Sequence, residues 1–204
     1  VSKFKISSGF TEQERPDIAR LYWQAFSAKL GRLLGPTPRA LAFFEHIISP
    51  DFALVARSPA GKVIGVAGFK TAEGALTGGG LRELSQYYGW LGASWRAPFL
   101  HLLERDLAEN TLLMDGICVD AAARGLGVGT ALLDAIKAHA QSRNLAHVRL
   151  DVIDINPRAR ALYLREGFIA AAPQHVGPLR WLFGFSTSTP MTWTVDHTCR
   201  IAAN

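Results

Sequence analysis

The sequence predicts a mixed α/β (α+β) domain, and three features point there. The segment Thr111 to Val119 (TLLMDGICV) reads as a buried strand, the period turns helical from Val128 to Ser142, and Val148, Leu150 and Val152 then alternate with Arg149 and Asp151 as a further strand. A strand–helix–strand unit amid other strands and helices indicates α/β or α+β. Upstream, Phe52 to Arg57 and Val63 to Phe69 read as strands joined by Ser58-Pro59-Ala60-Gly61, whose Pro and Gly supply hairpin backbone angles. The chain is also 49% hydrophobic and 19% charged, which is ample core material and excludes wholesale disorder. Its 204 residues are expected to form a single domain, 1–204.

The remaining elements follow in order. Phe4 to Ser8 suits a short strand, and Glu12 to Leu30 carries a helical stripe through Ile18, Leu21, Tyr22, Ala25 and Phe26. A second helix follows Pro38, with Leu41, Phe44, Ile47 and Ile48 on one side and Pro50 ending it. Thr77-Gly78-Gly79-Gly80 reads as a flexible joint leading into a helical insertion at about 78–109, which Pro98 is expected to split into two helices. The insertion carries Tyr87, Tyr88, Trp90, Trp95 and Phe99, which suit an added core layer, an acceptor pocket or a subunit interface, a homodimer among them. A short helix, Pro157 to Glu166, leads to Phe168 and a last strand around Met191 to Val195. The aromatic segment Leu179 to Phe185 is equally open between packing and interface.

Charge and cysteine content narrow the function classes. Twenty-two Lys and Arg against seventeen Asp and Glu give a net +5, spread along the chain with no basic arm. An anionic small ligand suits that excess, and no basic stripe interleaved with aromatics argues for nucleic acid. Cys118 and Cys199 lie far apart, read as free thiols of a reducing compartment, and have no metal-ligand spacing around them. The first residues lack the apolar run of a signal peptide, and Trp181 to Val195 is too short to span a bilayer. The expectation is a soluble cytoplasmic protein with no membrane, no nucleic-acid and no metal partner.

The most informative stretch runs from Val119 to Thr130. It leaves a strand, turns through Gly125, Gly127 and Gly129, and opens a helix. The first N–H groups of a helix lack internal partners, and the helix dipole adds positive charge there. Glycines let that backbone wrap a phosphate or pyrophosphate, with Thr130 adding a hydroxyl. A Walker loop needs a lysine that is absent, and a dinucleotide fingerprint needs a third glycine where Thr130 or Leu132 stands. What the residues match is Arg124-x-x-Gly127-x-Gly129, which resembles the acyl-CoA pyrophosphate loop of the GCN5-related N-acetyltransferases. Asn156-Pro157-Arg158-Ala159-Arg160-Ala161-Leu162-Tyr163-Leu164-Arg165-Glu166-Gly167-Phe168 resembles that family's second signature. There Asn156 suits an N-cap, Pro157 the first helical position and Gly167 the left-handed site after the helix. Ala159 shares a helix face with Tyr163 and leaves space beside the phenol.

This resemblance implies a mixed, partly splayed sheet flanked by helices, with acetyl-CoA held where the strand ending at Val119 leaves the strand at Val148 to Val152. It implies that main-chain groups of Ile117, Cys118 and Val119 bind the pantetheine arm. The amides of Arg124, Gly125, Leu126, Gly127, Val128, Gly129 and Thr130 would take the pyrophosphate, with Asn156 and Ala159 completing the cofactor site. Tyr163 would face the thioester sulfur as general acid. The implied reaction is acetyl transfer to a small-molecule or peptide amine, which needs a proton acceptor. Asp115, expected two residues along the strand from Ile117 and on its side, is the candidate base; the competing reading is a carboxylate that binds substrate or pairs with an arginine. Cys118 reads as a small packing residue rather than a nucleophile. A non-catalytic acyl-CoA-binding module is the alternative from another class.

Overall fold

The computed structural model describes residues 3–103 and 106–195; Cys199 lies outside them. In chain order the elements are β1 (Lys5–Ser8), α1 (Arg15–Leu34), α2 (Thr37–Ile47), β2 (Ala53–Arg57), β3 (Val63–Thr71), β4 (Gly74–Ala75), α3 (Leu81–Leu103), β5 (Thr111–Val119), α4 (Val128–Ser142), β6 (His147–Ile153), α5 (Pro157–Arg165), β7 (Ile169–Ala170), β8 (Gln174–His175), α6 (Arg180–Phe183) and β9 (Thr187–Thr194). The sheet runs β1-β2-β3-β5-β6-β9-β7, with β4 on β3 and β8 on β9. Among the described residues β5 and β6 form the parallel pair, and the other neighbours are antiparallel. No helix among them is long and apolar enough to cross a membrane.

The sheet separates two cores. Ile18, Leu21, Leu33 and Leu34 of α1 pack with Val55, Val66 and Leu84 on one face. Leu132, Leu133 and Ile136 of α4 pack with Leu112, Val148, Leu150 and Met191 on the other. Between these layers β5 and β6 part company. They pair only from Thr111↔His147 to Leu113↔Arg149, whereas β5 continues against β3 as far as Val119↔Gly65. The expected mixed, partly splayed sheet is present, and its opening lies at the end of β5.

Several expectations are refined. The break in α3 falls at Gly89, with φ 68° and ψ 165°, and not at Pro98, which sits inside continuous helix. The left-handed angle interrupts the ladder and suits glycine, whereas a proline removes a single N–H and is accommodated by bending. The glycine joint is pinned at its start, because Thr77 bridges Ile48 and the Ser49 N–H donates to Leu76 O at 2.9 Å. The insertion's aromatics divide between fates. Tyr88 is buried, donates its hydroxyl to Leu34 O and meets Phe43 edge-on, whereas Trp90 is 68% exposed. In the segment after β8, Phe183 and Phe185 are buried and stacked at 5.9 Å, whereas Trp181 faces out.

One ion pair fixes where α1 starts. The Glu14 carboxylate accepts from Arg57 Nε at 2.6 Å and from its terminal nitrogen at 2.9 Å, tying the head of α1 to β2. Arg57 also donates to Ser7 Oγ at 2.6 Å, and so holds β1 as well. The guanidinium keeps the Glu14 carboxyl down at about 2, against 4.5 ordinarily. A depressed carboxylate stabilises the fold above its unfolded value, and that contribution is lost as the pH falls from about 4.5 to about 2. Glu14→Gln should therefore cost about 1–3 kcal/mol at pH 7. Urea unfolding at pH 7 and pH 3 should show the cost shrinking in acid; an equal cost at both would remove the ion pair as its cause.

Candidate active site

The loop after β5 is built from its own backbone. Asp120 accepts from the Ala122 N–H at 3.0 Å and winds Ala121–Ala123 into a 3₁₀ turn. Gly125 and Gly127 follow at φ 79° and 83°, left-handed values that a side chain would strain. A Cβ at either glycine would meet no atom within 4 Å, so the space above the loop is open. In α4 the Ala131 N–H reaches Gly127 O at 3.0 Å, so the amides of Val128, Gly129 and Thr130 belong to the helix's free first turn. Residues 124–130 include no acidic side chain, and Arg124 is exposed beside them, its Nε 3.4 Å from Val119 O. Open amides, a positive helix end and an arginine form a cradle whose chemistry fits a pyrophosphate.

The second motif folds beside the first. Asn156 caps α5 by accepting from the Ala159 N–H at 3.2 Å, Pro157 opens the helix and Gly167 closes it at φ 85°. Arg165 reaches Thr130 Oγ1 at 3.4 Å, which joins α5 to the loop. Ala159 packs on the α4-side core, and Tyr163 is buried there against Phe168, ring centres 5.9 Å apart. Burial first, and then the neighbouring Cys118, hold the Tyr163 phenol well above its ordinary range, so it keeps its proton.

The strand between the motifs departs from the expected alternation. The β3–β5 register matches Gly68 with Gly116 and Phe69 with Met114, which leaves Asp115 as the extra residue of a bulge. Gly116 has φ 153°, and a Cβ there would sit 2.7 Å from Phe26 Cζ. The bulge shifts the alternation by one residue. Ile117 accordingly packs toward the α4 side, whereas Asp115 lines a cavity with Tyr22 and Phe26 of α1. Asp115 and Ile117 thus face opposite sides of the sheet, contrary to the simple strand expectation. Cys118 is likewise corrected. The Asp120 N–H donates to Ile64 O on β3, so alternation turns the main chain of Cys118 toward β3 and that of Ile117 and Val119 toward the β5–β6 opening.

Asp115 stands at the edge of a cavity of about 220 Å³ bounded by α1, α2, β3 and β6. Its Oδ2 is enclosed without a hydrogen-bond partner. Burial pushes its carboxyl up to about 6, with Lys70 and Lys29 pulling it back. The Cys118 thiol is buried and pushed up to about 12, by burial and then by Asp115, so it stays protonated and unreactive. Sequence reasoning missed Tyr22, Lys29, Lys70 and Asp151 around this cavity. Asp151 had a signal, as a charged position alternating with apolar ones on β6. Among the described residues, no group of three or more His, Cys, Asp or Glu side chains is placed to hold a metal.

A carboxylate raised by burial destabilises the fold once ionised. Stability is full below the unfolded value near 3.8 and falls as the pH rises through about 6. Asp115→Asn should therefore raise stability at pH 8 by on the order of 2 kcal/mol. Thermal melts from pH 4 to pH 8 should show the gain vanish in acid, and a pH-independent difference would contradict the buried-charge account.

The matching family model is that of the Acetyltransferase (GNAT) family, over residues 15–168. Among solved structures, an acetyltransferase is 22% identical, with a TM-score of 0.61 and 94% of this chain and 100% of that chain covered. An N-acetyltransferase from Staphylococcus aureus is 19% identical at TM-score 0.66, covering 93% and 100%. A putative acetyltransferase from Salmonella typhimurium, solved with its cofactor acetyl-CoA, is 16% identical at TM-score 0.57, covering 100% of both. Comparison with curated proteins gives no match. These structures share the fold, and with the family model spanning most of the chain, including both sequence signatures, the chain belongs to the GNAT family of acetyltransferases.

Proposed function

We propose that this chain transfers the acetyl group of acetyl-CoA to the nitrogen of a small-molecule or peptide amine, by direct attack in a ternary complex. The observation that carries the reading is the β5–β6 opening. It joins the open amides of the glycine loop to a buried, protonated Tyr163 and, through β5, to a carboxylate in a cavity.

When bound, acetyl-CoA supplies an activated acetyl thioester. The amides of Arg124, Gly125, Leu126, Gly127, Val128, Gly129 and Thr130 would hold its pyrophosphate, and the main chains of Ile117 and Val119 its pantetheine arm. Asn156 keeps its side-chain N–H groups for the cofactor because its Oδ1 caps α5. An N–H at the β5 edge polarises the acyl carbonyl, as a fixed dipole that needs no reorganisation. Tyr163 donates to the departing sulfur, having kept its proton in the dry site. On the other face Asp115, ionised above about pH 6, accepts the proton that the amine must shed. Lys29 and Lys70, both in electrostatic reach of Asp115, disfavour an ammonium there and so lower the amine's own affinity for that proton.

The test is thiol release from acetyl-CoA over a panel of amines, with calorimetry for CoA binding. Binding without release from any amine would leave a CoA-binding module instead. Gly127→Asp should abolish CoA binding with the fold intact by circular dichroism, since it strains φ 83° and adds a negative charge to the cradle. Tyr163→Phe should slow single-turnover chemistry about tenfold to a thousandfold, roughly 1.4–4 kcal/mol, while CoA affinity falls far less. A rate within about twofold of wild type would defeat the general-acid assignment.

A further inference from the structure

The short helix α5 carries Arg158, Arg160 and Arg165, and all three are exposed. An α-helix turns about 100° per residue, so Arg158, Leu162 and Arg165 share one flank and Arg160 faces away from it. That flank packs on the glycine cradle. Leu162 Cδ2 stands 3.5 Å from where a Cβ would sit on Gly129, and Arg165 reaches Thr130 Oγ1 at 3.4 Å. As the stripe steps back from Arg165 to Leu162, its contacts step back from Thr130 to Gly129, so Arg158 comes next, toward the glycine loop. Arg158 makes no hydrogen bond or ion pair among the described residues. Arg165 Nε lies 3.7 Å from Glu166 Oε1, and that carboxylate is shared with Lys137, also at 3.7 Å. Between its two ends the flank holds no acidic side chain. Arg124, on the loop itself, turns its Nε to Val119 O instead.

CoA carries two separate anions. Its pyrophosphate suits a row of main-chain amides. The adjoining ribose bears a phosphate monoester, with a charge of about −1.5 to −2 at neutral pH. Such a group is matched best by guanidinium, whose forked donors make charge-assisted hydrogen bonds to its oxygens. On the reading that acetyl-CoA is the donor, we propose that Arg158 and Arg165 form a second phosphate subsite on the loop-facing flank of α5, and that it takes the ribose phosphate of CoA. Only a ribose separates that phosphate from the pyrophosphate, so its partner has to stand beside the cradle, as this flank does. Arg160, on the same helix but turned away, takes no part. Donor recognition then depends on an end of CoA remote from the thioester, and the chain selects CoA over the form that lacks this phosphate.

Calorimetry with CoA and with dephospho-CoA, which lacks only that group, tests this without turnover. The protein should bind CoA at least about tenfold more tightly. Arg158→Gln and Arg165→Gln should each weaken CoA binding about threefold to tenfold and leave dephospho-CoA binding nearly unchanged, which a loss of folding would not do. The double variant should bring the two ligands within about twofold of each other, whereas Arg160→Gln should keep the original preference. Equal affinity of the unmodified protein for both ligands would overturn the subsite and leave acetyl-CoA standing as the donor. A preference that survives the double variant, or that Arg160→Gln lowers as much, would overturn the assignment to this flank. So would an equal loss of dephospho-CoA binding, since the arginines would then serve the pyrophosphate. Binding of neither ligand would overturn the acetyl-CoA reading itself, and this inference with it.

Discussion

A strand that leaves one neighbour exposes a row of main-chain N–H and C=O groups, and a buried group left unpaired costs about 1–3 kcal/mol. In this protein β5 does so beyond Leu113, where its pairing with β6 ends. Its other edge stays bonded to β3 as far as Val119, so the strand is held rigidly while it remains open on one side. That combination makes a preorganised open edge out of ordinary sheet. It also dictates what surrounds the edge. The chain leaving β5 runs through the glycine loop into α4, and α5 lies beside that loop, Arg165 reaching Thr130 Oγ1.

The bulge at Asp115 adds a second function to the same strand. Without it, Asp115 and Ile117 would share a face. With the alternation shifted, one strand keeps an open edge beyond Leu113 and presents a carboxylate to a cavity on the α1 side. The local chemistry follows from dryness more than from charge pairing. Asp115, Cys118, Tyr22 and Tyr163 are all raised chiefly by burial. Three of them therefore hold protons at neutral pH, and the aspartate is left as the group that changes state near it. Glu14 is the contrast, since a bidentate arginine drives it the other way and gives it a structural task.

Where period and end chemistry agree, the sequence was legible. The bounds of β5 and α4 match their hydrophobic patterns, and Asn156 and Gly167 sit at the helix ends their backbone preferences suggest. The two-residue strands β4, β7 and β8 carry too little pattern to read and owe their existence to their neighbours. The bulge was hidden because Met-Asp-Gly-Ile is compatible with plain alternation, and only Gly116 marks it. In α3, proline drew attention from Gly89, whose backbone angle makes the break. The cavity was illegible for another reason. Tyr22, Lys29, Lys70, Asp115 and Asp151 come from one helix and three strands spread along the chain, and only the sheet order brings them together.

The insertion shows how a segment outside both signatures still bears on the cavity. A helix ends with carbonyls that have no partners within it, and α1 ends at Leu34. Tyr88 donates to the carbonyl of Leu34, and Arg96 donates to that of Leu33 at 2.7 Å while lying 4.5 Å from the centre of the Tyr88 ring. The break at Gly89 falls between these two residues, so each half of α3 supplies one donor to the same helix end. Lys29 and Leu30 lie one turn earlier on α1, and both line the cavity, as does Leu100 from the second half of α3. Through that helix end the insertion helps set where Lys29 stands at the cavity, although it belongs to neither the glycine loop nor α5.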